Sequence, residues 1–177
     1  MIVKNDGLPI AVYECIKNDT YSKGNADISV TELIGPPRIR VLTKLHDHEI
    51  EIPASSLLNV TLGRAFHSAI EAGTVTGTAE RRLSINVRGW EISGGQDHYH
   101  DGVLVDYKTC NKWKTVLCDK GRIDEFEQQL NIYAQILREN NHDVTDIKIF
   151  ALFKDWNRQE LKTYLNKQKI FIPGKQA

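Results

Sequence analysis

A chain of 177 residues, 41% apolar and 26% charged, is long enough for one self-sufficient hydrophobic core and short for two. Lysine plus arginine number 23 and so do aspartate plus glutamate; the resulting zero net charge excludes a bulk electrostatic clamp for nucleic acid and leaves only local basic strips. No stretch approaches the ~20 consecutive apolar residues of a membrane span, and the N-terminal residues lack the apolar segment of a secretory signal. Cys15, Cys110 and Cys118 form no CxxC pair and are odd in number, so reduced thiols in a cytoplasmic protein are expected.

Residues 1–28 are weakly patterned, with turns expected at Asn18-Asp19 and Lys23-Gly24-Asn25. A short helix with a Ser or Thr cap is expected from about Ile28 to the stop at Gly35-Pro36-Pro37. In residues 38–53, Ile39 and Val41 alternate with arginines and Ile50 and Ile52 with glutamates, which predicts a short exposed hairpin. From Ala54 to Ala72, apolar residues from Leu57 through Leu62 and Phe66 to Ile70 recur at spacings of three and four, predicting a helix with Gly73 as its cap.

Three strands are expected next, at 80–87, 90–98 and 103–109. Asp101-Gly102 is a strong signal for a two-residue hairpin turn between the last two. Residues 124–139 carry a helical stripe of Phe126, Leu130, Tyr133, Ala134 and Leu137, and Asp146 to Phe153 reads as a last strand, with a short helix in the tail. The pattern predicts a mixed α/β domain over residues 1–177, a central mixed sheet flanked by helices in an αβββαβ core, with 1–53 as an N-terminal, substrate-side extension.

The chemistry concentrates at Val103 to Thr109. Its three leading apolar residues suggest an interior strand, and the period of two places Leu104, Asp106 and Lys108 on one face. A buried carboxylate and ammonium each need a partner, and an internal ion pair is the simplest reading. Asp97 adds a second: it lies across the hairpin from Asp106, and antiparallel neighbours are about 5 Å apart. Two carboxylates that close repel unless a proton or cation sits between them, and aspartates with waters suit Mg²⁺ or Mn²⁺. Beside such a cation Lys108 would hold a phosphate oxygen or steer an attacking water.

Four segments around these residues resemble, in order, the PD-(D/E)XK nuclease superfamily, specifically its RecB-like exonuclease branch. Gly63-Arg64-Ala65-Phe66-His67 is similar to the glycine-to-histidine helix motif, Gly94-Gly95-Gln96-Asp97 to the glycine-x-x-aspartate segment, Asp106-Tyr107-Lys108-Thr109 to the D-x-K core, and Gln129-Leu130-Asn131-Ile132-Tyr133 to the Q-x-x-x-Y helix motif. The resemblance covers roughly residues 55–155. It implies that His67, Asp97, Asp106 and the Tyr107 carbonyl hold one or two Mg²⁺ or Mn²⁺ ions, that Lys108 is catalytic, and that Gln129 and Tyr133 support the lysine and the substrate phosphate. Glu80, often a glutamate in relatives, would join the metal through water; a solvated strand-end charge is the alternative. The implied activity is a metal-dependent DNA exonuclease preferring single strands, in recombination, repair or phage DNA processing, with partner recombination proteins. A structure-selective endonuclease, a catalytically silent DNA-binding module and a small-molecule hydrolase are the competing readings.

Arg64, Arg81 and Arg82 could face DNA, as could the basic strip from Lys108 to Arg122 with Lys112, Lys114 and the stacking candidate Trp113. Trp90 reads better as a core residue. Some relatives anchor an iron-sulfur cluster with four cysteines; three cysteines, none of them C-terminal, predict no iron-sulfur cluster here. Nothing resembles a P-loop, so ATP is not implied.

Overall fold

The computed structural model describes residues 1–19, 24–114 and 124–167, with the side chains of Glu80 and Asp124 outside that description. In chain order the elements are β1 (Ile2–Lys4), α1 (Ile10–Lys17), β2 (Ile28–Ser29), α2 (Val30–Ile34), α3 (Pro37–Leu45), β3 (Glu51–Pro53), a 3-10 turn (Ala54–Leu57) leading into α4 (Leu58–Gly73), β4 (Thr78–Val87), β5 (Trp90–His100), β6 (Val103–Cys110), α5 (Asp124–Glu139), β7 (Asp146–Phe153) and α6 (Arg158–Lys167). The protein is therefore mixed α/β, with the α4-β4-β5-β6-α5-β7 run in the expected order and a mixed sheet flanked by helices. Among the described residues no helix is long and apolar enough to cross a membrane.

The five-stranded sheet runs β2-β5-β6-β7, with β4 antiparallel to β5 along its whole length. Strands β5 and β6 form the hairpin expected from Asp101-Gly102, and both turn residues take positive φ, 46° and 81°, as this tight turn requires. A right-handed crossover is the general solution for a strand-helix-strand return, and α5 carries the chain from β6 to the parallel β7. The core lies between the sheet and α5: Leu104, Leu130, Tyr133, Ala134, Ile136, Leu137 and Val144 are buried there with Val30 and Ile92. The opposite face is covered by α4 only in part, and Phe150 on β7 stays 52% exposed.

Several expectations need correction. Residues 37–45 are a helix, not the first arm of a hairpin. Pro37 sits in the first turn, where its fixed φ starts a helix and its missing N–H costs nothing, and Ile39, Leu42 and Leu45 fit a spacing of three as well as Ile39 and Val41 fit a spacing of two. Only Glu51–Pro53 is extended, and it pairs in parallel with β1. Trp90, expected in the core, is 56% exposed at the β4–β5 turn. Gly73 is the last helical residue of α4 and not the cap beyond it; Thr74 follows in extended conformation.

The helix expected before Gly35 begins two residues late, because Ile28 and Ser29 first pair with Ile92 and Ser93. Ser29 then caps α2: its hydroxyl accepts from the Glu32 N–H while the Glu32 carboxylate accepts from the Ser29 N–H. Helix α1 was not visible in the sequence, since of its residues only Ile16 is buried.

Candidate metal centre and active site

One edge of β5 is shared by two neighbours. Strand β2 pairs at residues 92 and 93, and β6 pairs at 98 to 100, so Gly94 to Asp97 fall between the two ladders. The last rung is His98 with Val105; one step further the register sets Asp97 opposite Asp106. There the side chain takes over from the backbone, and Asp97 Oδ2 accepts from the Tyr107 N–H at 2.6 Å. This splaying opens a notch at the end of the hairpin into which two acidic side chains and a lysine project.

Helix α4 brings the third ligand candidate. Gly63 lies against β6, where an added Cβ would come within 3.3 Å of the Thr109 hydroxyl and crowd it. One turn later His67 reaches the strand: its Nε2 is 2.9 Å from the Tyr107 carbonyl oxygen and its Nδ1 is 3.3 Å from Asp97 Oδ1. A carbonyl only accepts, so Nε2 carries the proton in this contact, and coordinating a cation through Nε2 would require its loss.

On the α5 side a chain of polar contacts holds the lysine. Lys108 Nζ lies 3.0 Å and 2.8 Å from the two Asp106 oxygens and donates to Gln129 Oε1 at 3.2 Å. The Gln129 amide in turn donates to the Tyr133 hydroxyl at 2.8 Å. Tyr133 is in place because Gly94 has no side chain: a Cβ there would sit 2.6 Å from the Tyr133 ring. The two motif glycines thus serve close approach, Gly63 for α4 on β6 and Gly94 for α5 on β5.

Asp106 is 2% exposed. Burial pushes its carboxyl up to about 6; the Lys108 ammonium opposes this, and the nearby Asp97 charge adds to it. Its Oδ2, though close to the ammonium, is not aligned for a hydrogen bond and is a buried oxygen without one. A buried carboxylate in this state costs free energy unless something else satisfies it. The Tyr107 carbonyl, Asp97 and Asp106 are hard oxygen donors, the set that suits Mg²⁺ or Mn²⁺, so the residues fit the ion the sequence suggested. Among the described residues no group of three or more His, Cys, Asp or Glu side chains is gathered tightly enough to hold a metal by itself, because here these groups are turned toward one another and toward Lys108.

His67, Asp97, Tyr107, Asp106, Lys108, Gln129 and Tyr133 are therefore brought to one place. The Glu80 side chain lies outside the described residues, as do Cys118, Lys120 and Arg122 of the basic strip. Arg64, on the α4 turn before His67, forms an ion pair with Asp19 and is held below the usual arginine range by burial. Arg81 is placed away from the notch, with Nη1 3.4 Å from His142 Nε2 beyond the end of α5. Lys112 is engaged elsewhere too: its Nζ is 3.0 Å from Glu160 on α6 and its N–H donates to Asp155. Lys114 Nζ lies 4.6 Å from the Phe126 ring centre, while Lys108 Nζ lies 5.4 Å from the same ring, and Trp113 beside it is 69% exposed. Phe126, read from the sequence only as part of the α5 stripe, thus borders the site between two ammonium groups.

Comparison with protein-family models, with curated proteins and with solved structures finds no match in any of the three.

Proposed function

We propose that the protein is a divalent-metal-dependent nuclease that hydrolyses phosphodiester bonds in DNA, an exonuclease acting by preference on single strands, built on the PD-(D/E)XK plan. The observation that carries this reading is the meeting of three acceptor groups, from Asp97, Tyr107 and Asp106, with His67 and Lys108 at the splayed end of one hairpin. Asp97, Asp106, the Tyr107 carbonyl and His67 would hold Mg²⁺ or Mn²⁺. When bound, such an ion lowers the pKa of water and offsets charge on the phosphate under attack.

The chain's own residues supply the rest. Lys108 presents a fixed positive charge beside the carboxylates, where it orients a phosphate oxygen or the water that attacks it. Gln129 and Tyr133 restrict the lysine to that position, which matters because an unrestrained ammonium on four methylenes samples many rotamers. Asp106 must be ionised to hold a cation, so burial that raises its pKa also makes it ready to accept one in place of a proton.

The test is direct. Labelled single- and double-stranded DNA, linear and circular, is incubated with Mg²⁺, Mn²⁺ or EDTA, using wild type and Asp106→Ala. Metal-dependent loss of linear single strands that disappears with the substitution is the expected outcome. Cleavage that persists in EDTA or in Asp106→Ala refutes the mechanism; digestion of circles replaces the exonuclease with an endonuclease; binding with no cleavage favours a silent DNA-binding module.

A further inference from the structure

A polyanion that enters the notch meets the carboxylates of Asp97 and Asp106, so the cations around them decide where a strand can lie. Most of those cations are engaged. Lys108 is held by Asp106 and Gln129, Arg64 pairs with Asp19, Lys112 pairs with Glu160, and Arg81 and Arg82 reach His142 and Ser93. Lys114 differs. Among the described residues its ammonium has no carboxylate partner, and it lies over the Phe126 ring, 4.6 Å from the ring centre.

The place of that ring follows from α5. Phe126, Gln129 and Tyr133 recur at spacings of three and four, so they share one stripe of the helix. Gln129 on that stripe holds Lys108, and Phe126, one turn nearer the N-terminus, faces the same ammonium at 5.4 Å. The Lys108 and Lys114 ammonium groups therefore lie no farther apart than these two ring distances laid end to end, a span on the scale of neighbouring phosphates. The base of the Lys114 side chain is fixed as well. Its N–H donates to the Asn111 carbonyl at 2.9 Å, the Lys112 N–H donates to Asp155, and the Lys154 N–H donates to the Cys110 carbonyl, which ties the turn after β6 to the segment after β7.

A ring face attracts an ammonium through its quadrupole but takes up none of its N–H donors as a carboxylate would. The contact restricts a side chain of four methylenes and leaves its charge uncancelled. An ion pair restricts a lysine too, yet neutralises it, as Glu160 does for Lys112.

We propose that Phe126 is a positioning residue that presents Lys114 to a substrate phosphate neighbouring the linkage being cut, and this rests on the nuclease reading above. Lys114 binds that phosphate; the ring acts only through the ammonium it holds.

The experiment uses the full chain with Mn²⁺ and single-stranded oligonucleotides in which one linkage at a time is a neutral methylphosphonate. In wild type, a neutral linkage at one position beside the cut raises KM roughly tenfold, the effect of one lost charge-assisted contact, with kcat changed far less. Lys114→Gln shows that higher KM on the all-phosphate strand, loses nothing more from the neutral linkage, and lowers the log–log salt slope of DNA affinity by about 0.7. Phe126→Leu keeps an apolar side chain without the quadrupole and raises KM about twofold to fivefold, whereas Phe126→Tyr, which keeps the ring, retains the wild-type value. In a Lys114→Gln background Phe126→Leu adds nothing to KM. An equal effect of Phe126→Leu in both backgrounds overturns the proposal, as does a Phe126→Tyr enzyme no better than Phe126→Leu. Lys114→Gln that is as sensitive as wild type to every neutral linkage overturns it too; in all three cases the nuclease stands. Wild type that cleaves DNA with neither Mg²⁺ nor Mn²⁺ overturns the nuclease reading and the proposal together.

Discussion

Asp106 is the residue on which the site's electrostatics turn. A carboxyl with a folded-state pKa of about 6 and an ordinary value near 4 when unfolded binds its proton more tightly in the native state. Its contribution to stability is therefore complete below pH ~4 and is lost as pH rises through about 6. In EDTA, wild type should lose on the order of 2–3 kcal/mol relative to Asp106→Asn between pH 4 and 7.5, read by denaturant melts of both proteins. Parallel pH curves for the two would show that burial does not raise this pKa. At Gly94 the argument is steric. An alanine Cβ would sit 2.6 Å from Tyr133 and 3.1 Å from Val30, so Gly94→Ala should cost about 1–3 kcal/mol and slow DNA cleavage by displacing the Tyr133–Gln129–Lys108 chain. A variant with wild-type melting and wild-type cleavage would show that this packing is slack.

Among the elements, α2 depends most on local chemistry. It is five residues long, too short to be stable alone, and its first turn is secured by the reciprocal Ser29–Glu32 contacts. Ser29→Ala removes one of these from a position 7% exposed and should cost about 1 kcal/mol, visible as a shift of the urea midpoint without a change in slope. Because Val30 packs under Gly94, the same variant should lower cleavage only in proportion to the unfolded fraction. A rate loss at full folding would mean that α2 acts on the site itself. The hairpin β5–β6 was the element most legible beforehand. Its turn is fixed by Asp101-Gly102, and four steps back or forward from that turn lead to Asp97 and Asp106, so their apposition followed from register. Helix α3 was illegible for the converse reason: its apolar residues satisfy both periods, and Pro37 decides between them by its geometry.

At the scale of the molecule, the site joins α4, β5, β6 and α5, so an ion bound there, as proposed, would be linked to folding of the whole sheet. Mn²⁺ at a hundred times its Kd should add about 2.7 kcal/mol to wild-type stability at pH 7.5 and little to Asp106→Asn. Equal stabilisation of both proteins would place the ion elsewhere. The two sheet faces also differ in kind. The α5 face carries the buried core, whereas the α4 face leaves Phe150 on β7 and much of α4 exposed.

What the amino-acid order settles alone is whatever depends on near neighbours: the hairpin register, the α5 stripe, the capped start of α2 and the alternation that pairs Asp106 with Lys108 on one face. Only the tertiary structure decides which charges are already committed, because their partners are distant in the chain. Lys112 meets Glu160, Arg64 meets Asp19, Arg81 reaches His142 and Arg82 donates to Ser93. Local periodicity specifies a side chain's direction from its own element; what waits there is set by how the elements pack.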